Sequence, residues 1–110
     1  MNGGCVMMFW EIESVTGYTP ITTFWQDFST ADTFGVDAVQ DTYSRAFQEW
    51  KDDYQYLTEL VLVLNHKIWQ HYEHNDALAQ VYDSLWRKAD QYTANTLTGD
   101  ELRYYYEVTD

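Results

Sequence analysis

The chain has 110 residues, 45% hydrophobic and 18% aromatic, and its 18 Asp and Glu outnumber its 6 Lys and Arg to give a formal charge of −12 at pH 7. That length and apolar content predict one compact domain with a packed core and exclude disorder throughout; the charge excludes nucleic-acid binding over a generally basic surface. The cations Arg45, Lys51, Lys67, Arg87, Lys88 and Arg103 form no patch beyond the adjacent Arg87 and Lys88, and residues 1–44 carry six acids with no Lys or Arg.

Residues 1–21 hold Gly3, Gly4, Gly17 and the single proline, Pro20, without a sustained hydrophobic period. They read as a weakly ordered N-terminal arm or extension, with Met7 and Met8 as alternative starts, ahead of an acidic helical-bundle domain over 22–110. Apolar Val6 to Trp10 lacks a preceding positive charge and runs into Glu11 and Glu13, unlike a secretory signal, and no run approaches the roughly 18 apolar residues of a membrane span. Cys5 is the single cysteine and forms no internal disulfide, which suits a reducing compartment, so a cytoplasmic protein with no membrane contact is expected.

From Thr22 onward the period is helical. Thr23 with Gln26 fits a capping box and Gly35 supplies a stop, predicting a first helix over about 23–34 with Phe24, Phe28 and Ala31 inward. A second, about 36–51, puts Val36, Val39, Tyr43, Ala46, Phe47 and Trp50 in one stripe opposite Asp37, Asp41, Ser44 and Gln48. A third, about 53–74, buries Leu57, Leu60, Val61, Leu64, Ile68 and Tyr72, yet carries Leu62, Val63 and Trp69 outside that stripe; a helix apolar nearly all round is central or self-associating. Asn75 caps a fourth helix reaching about Ala94 through Leu78, Tyr82, Leu85, Ala89 and Tyr92. A last helix opens at Thr98-Gly99-Asp100-Glu101 and docks through Leu102 and Tyr105. Short connections favour antiparallel neighbours, so the expected fold is all-α, a compact bundle of four to five mostly antiparallel helices.

Chemical motifs are sparse. His66, His71 and His74 are near in sequence, but at 100° per residue His66 and His71 fall on different faces. Glu59, His66 and Glu73 share a line on which neighbours are about 10 Å apart, too far for one ion. His71 reads as a hydrogen-bonded core histidine, and neither a metal nor another cofactor is expected. No glycine-rich phosphate loop or Gly-x-Ser-x-Gly elbow occurs, and Cys5 lies among acids that disfavour its thiolate. Asp37 and Asp41, one turn apart, could hold Mg²⁺, but Asp41 can equally pair with Arg45. The aromatic residues lack the positively charged groove that base stacking requires. What remains is an acidic outer face, Asp27, Asp32, Asp37 and Asp41, on the first two helices; carboxylates at intervals on rigid helices can imitate a line of phosphates.

The segments Thr23 to Gly35 (Thr-Phe-Trp-Gln-Asp-Phe-Ser-Thr-Ala-Asp-Thr-Phe-Gly) and Tyr56 to Tyr72, with Leu85-Trp86, resemble small acidic helical proteins encoded on conjugative or integrative mobile elements and phages of Gram-positive bacteria. The resemblance covers about 23–110, supplies no catalytic residues, and implies a role in transfer, regulation or evasion of host defence. The expected function is therefore a non-enzymatic protein-interaction module. Its acidic face, Asp27, Asp32, Asp37 and Asp41, binds a basic surface, for instance as a DNA mimic against a nucleic-acid-binding protein. The alternatives are a homo-oligomeric accessory protein joined through Leu62, Val63 and Trp69 and, third, a Mg²⁺-dependent phosphohydrolase.

Overall fold

A computed structural model describes residues 20–109, with side chains from Phe24 onward. Five helices follow in order: α1 Pro20–Asp32, α2 Val36–Trp50, α3 Tyr54–His71, α4 Asp76–Thr96 and α5 Gly99–Thr109. The all-α bundle is the fold expected from the hydrophobic period, while the expectation for residues 1–19 of the arm lies outside the described residues. Helix α1 starts at Pro20 rather than at a Thr23 cap. Proline's fixed φ and missing N–H suit a first helical position, so Pro20 lies in the helix and not in the arm.

Local chemistry sets the other boundaries. Gly35 has φ 111°, a left-handed conformation that a side chain would strain, and turns the chain between α1 and α2. Asp53 accepts hydrogen bonds from the Gln55 and Tyr56 amides at 3.0 and 3.3 Å, and Asn75 accepts from Leu78 N at 3.1 Å. Each satisfies N–H groups that the first turn of a helix leaves unpaired.

Helix α3 is the hub, packing most extensively on α4 and also on α1 and α5. Successive helices alternate in direction: Phe24 meets Tyr56 while Asp32, eight residues on, meets Lys67 and His71, so α1 and α3 run the same way. Phe24, Phe28, Val39, Leu60, Leu64, Tyr82, Leu85 and Tyr105 are core residues, each large side chain contributing about 1.5–3 kcal/mol by leaving water. The predicted inner lines of α1, α2 and α4 hold. Tyr72, expected inside, is 59% exposed. None of the helices among the described residues is long and apolar enough to cross a membrane.

Candidate functional site

The first feature is a polar cluster where α1, α3 and α4 meet. Phe24, Phe28 and Asp32 are spaced one turn apart on α1, as Leu60, Leu64, Lys67 and His71 are on α3, so one ionic group from each helix arrives on an apolar line. Lys67 is 0% exposed; its Nζ donates to Asp32 Oδ2 at 2.9 Å and to Ser29 Oγ at 2.7 Å, and lies 4.2 Å from the centre of the Trp25 ring. His71 Nε2 donates to the same carboxylate oxygen at 2.9 Å, and the Tyr82 hydroxyl donates to Asp32 Oδ1 at 2.6 Å. The His71 and Tyr82 rings stack at 5.7 Å.

This geometry corrects the expected acidic face. The Asp32 side chain is 11% exposed and turned inward, occupied by three donors, and does not belong beside Asp27, Asp37 and Asp41. Burial lowers the Lys67 pKa, while the hydrogen bond and charge of Asp32 oppose that fall. Burial also raises the Tyr82 pKa, with the neighbouring carboxylate adding to it, so the phenol stays a donor. A cluster of this kind holds α1, α3 and α4 in one register, because any slip strands a buried charge. His71 is hydrogen-bonded and nearly enclosed, as read from the sequence.

Asp27, Asp37 and Asp41 are exposed on α1 and α2. Asp37 lies in the first turn of α2, where the helix dipole favours a negative charge. Asp41 pairs with Arg45 at 3.2 Å, the one-turn pairing anticipated above. Arg87 pairs likewise with Asp83 at 3.0 Å and Arg103 with Asp100 at 3.1 Å. With Lys67 on Asp32, four of the six cations already face a carboxylate. Asp27 and Asp37 make no ion pair among the described residues.

The second surface is the α3–α4 seam. Leu62 is half-buried and Trp69 is 67% exposed, but Val63 is buried in the core and cannot form part of an oligomer interface with them. Helix α3 is enclosed around most of its circumference, so lying off the main apolar stripe does not bring Val63 to water. Two cavities follow the seam. One of about 300 Å³ is bordered by Leu62, Asn65, Trp86, Asp90, Tyr106 and Thr109. The other, about 410 Å³, is bordered by Ile68, Tyr72, Asp76, Ala79, Gln80 and Asp83. At the first, the Tyr105 hydroxyl donates to Asp90 and fastens α5 to α4, and burial together with that carboxylate raises the Tyr105 pKa.

Sequence reasoning weighed Glu59 only as part of a line with His66 and Glu73 and did not expect it to be buried. It is 1% exposed, neither carboxylate oxygen has a hydrogen-bond partner among the described residues, and burial pushes its pKa up to about 7. It also missed the Asp32–Lys67 pairing, for which the available signal was a charged residue on the apolar line of each helix. Among the described residues, no group of three or more His, Cys, Asp or Glu is placed to hold a metal ion. Comparison of the chain with family models, with curated proteins and with solved structures returns no significant match.

Proposed function

We propose that this protein is a non-enzymatic protein-interaction module whose acidic surface engages a basic surface of another protein, in its sharpest form as a DNA mimic. The observation that carries the reading is the disposition of charge. Four of the six cations are already matched by carboxylates within the fold, so little positive charge interrupts the exposed carboxylates of the described residues. Asp27 and Asp37, in no ion pair among the described residues, stand on two helices joined by the tight turn at Gly35, with Asp41 one turn beyond. Carboxylates fixed on a rigid hairpin lose little freedom on binding and attract a basic partner from a distance. The location proposed is the cytoplasm, in keeping with the lone Cys5, and a nucleic-acid-binding protein of a bacterial host or of the same mobile element is the partner that the resemblance suggests.

Affinity capture from bacterial lysate at about 0.1 M salt tests this, with wild type beside the Asp27→Asn, Asp37→Asn, Asp41→Asn variant and with duplex DNA as competitor. A basic protein retained by wild type, released by DNA and reduced on the variant supports the reading. Recovery of the protein alone contradicts it.

A further inference from the structure

The exposed rings on α3 have a position that the α1–α2 carboxylates do not account for. Helices α3 and α5 run alongside each other, and Thr109, the last described residue of α5, borders the same cavity as Asn65. Beyond Asn65 the outer face of α3 carries Trp69, 67% exposed, and the turn that follows carries Tyr72, 59% exposed, with their ring centres 5.5 Å apart. The groove of about 410 Å³ is bordered by Tyr72, with Ile68 and Ala79 as its other apolar lining.

The rim of that groove is mainly acidic. Asp76 and Asp83 stand seven residues apart on α4, two turns along a single helix face, and both border the groove; Glu73 is exposed in the turn before α4. Asp76 is engaged by the Gln80 amide at 2.7 Å, which leaves its charge unneutralised, and Asp83 meets Arg87 at a solvent-exposed pair, which water screens. An apolar lining flanked by aromatic rings and carboxylates matches an amphipathic helix with apolar residues on one face and cations at its edges. A second copy of this chain fits poorly, because it would bring another −12 against the same carboxylates.

We propose that the α3–α4 seam beyond α5 seats a basic amphipathic helix of another protein, with its apolar side chains over Ile68, Trp69 and Tyr72 and its lysines or arginines against Asp76 and Asp83. The proposal rests on the protein-binding reading above and adds the partner's secondary structure and its seat. The seat is separate from Asp27, Asp37 and Asp41.

The test uses the full chain and a fluorescein-labelled synthetic helix of leucine and lysine, with leucines at i, i+3, i+4 and i+7, followed by anisotropy at about 0.1 M salt. A peptide of the same composition in scrambled order is the control. Trp69→Ala with Tyr72→Ala is expected to weaken binding about tenfold or more, as loss of aromatic anchors does. Asp76→Asn with Asp83→Asn weakens it several-fold and flattens its salt dependence, and the scrambled peptide binds at least tenfold more weakly. The Asp27→Asn, Asp37→Asn, Asp41→Asn variant stays within about twofold of wild type. All substituted side chains are exposed or border the groove, and circular dichroism checks that the variants stay folded.

Loss of binding in the α1–α2 variant alone would remove the seat and leave the protein-binding reading standing. Equal binding of ordered and scrambled peptides, or no binding by wild type at 0.1 mM peptide (a concentration on the order of a weak helix–groove Kd), would overturn the helix proposal, with the capture experiment still deciding the wider one. A wild-type dimer in sedimentation that Trp69→Ala and Tyr72→Ala convert to monomer would identify the occupant as a second copy and overturn the proposal too.

Discussion

Replacing Glu59 by leucine should stabilise this protein, and by an amount that depends on pH. The Glu59 carboxyl is enclosed with no hydrogen-bond partner among the described residues, and burial moves its pKa from 4.5 to about 7. Below about pH 4.5 the group is protonated both folded and unfolded and contributes no pH dependence. Between 4.5 and 7 the folded chain holds a proton that the unfolded chain has released, so stability falls as pH rises. Above 7 the folded carboxyl is ionised as well and the loss levels off at about 3 kcal/mol, from about 1.4 kcal/mol for each tenfold change in proton affinity. Leucine removes that loss together with the roughly 1 kcal/mol for burying a neutral, unpartnered carboxyl. Urea unfolding followed by tryptophan fluorescence from pH 4 to 8 measures it directly. Glu59→Leu should exceed wild type by about 1 kcal/mol at pH 4 and by about 4 at pH 8, roughly 10 °C or more in Tm. Glu59→Gln should lose the same pH dependence without the full gain, since its buried amide is left without partners. Parallel pH profiles for wild type and Glu59→Leu would refute the assignment of this burial.

Asp32→Asn leaves Lys67 buried beside a neutral amide and should destabilise by about 3–5 kcal/mol; adding Lys67→Met should recover much of that loss, giving a positive coupling in a double-mutant cycle of urea midpoints. Tyr105→Phe removes the donor to Asp90 and should cost about 1–2 kcal/mol, with faster hydrogen exchange in α5 before the rest of the bundle. Asp53→Ala uncaps α3 and should cost about 1 kcal/mol in chemical denaturation. Asp27→Asn, Asp37→Asn and Asp41→Asn together should shift stability by no more than about 0.5 kcal/mol each in the same measurement, since all three side chains face water.

Local chemistry and period are what sequence conveys here. The one-turn spacing of Phe24, Phe28 and Ala31, the stop at Gly35 and the cap at Asn75 act within a few residues, and each appears in the fold as read. Thr23 misled because a cap motif is also compatible with a helix interior, and Pro20, three residues earlier, starts the helix instead. Asp32 and Lys67 illustrate the limit more sharply. A lone carboxylate or ammonium belongs in water by its solvation energy, and only a partner 35 residues away makes burial of both tolerable. No period within α1 reports what α3 brings to it.

Helix α3 carries the remaining errors for one physical reason, which is that its surroundings change along its length. Glu59, His66 and Glu73 share a line, yet Glu59 is enclosed while the other two are exposed. Tyr72 continues the inward stripe of Ile68 but lies in the turn after α3 and is exposed, and Val63 is covered where Trp69 is not. Of the candidate residues, Asp27, Asp37 and Asp41 lie on the surface as read, Trp69 does so prominently, and Asp32 and Val63 belong to the interior. The groove beside Tyr72 is built from α3 and α4 together, which a single-helix pattern does not contain.

The most direct measurement of the central claim is an amide chemical-shift map of the labelled protein titrated with the basic protein recovered by affinity capture. The account expects saturable shifts confined to the carboxylate surfaces, on α1–α2 around Asp27 and Asp37 or along the α3–α4 seam around Trp69 and Asp76, that weaken as salt is raised. Shifts centred instead on Lys51 and Lys88, or binding indifferent to salt, would contradict it.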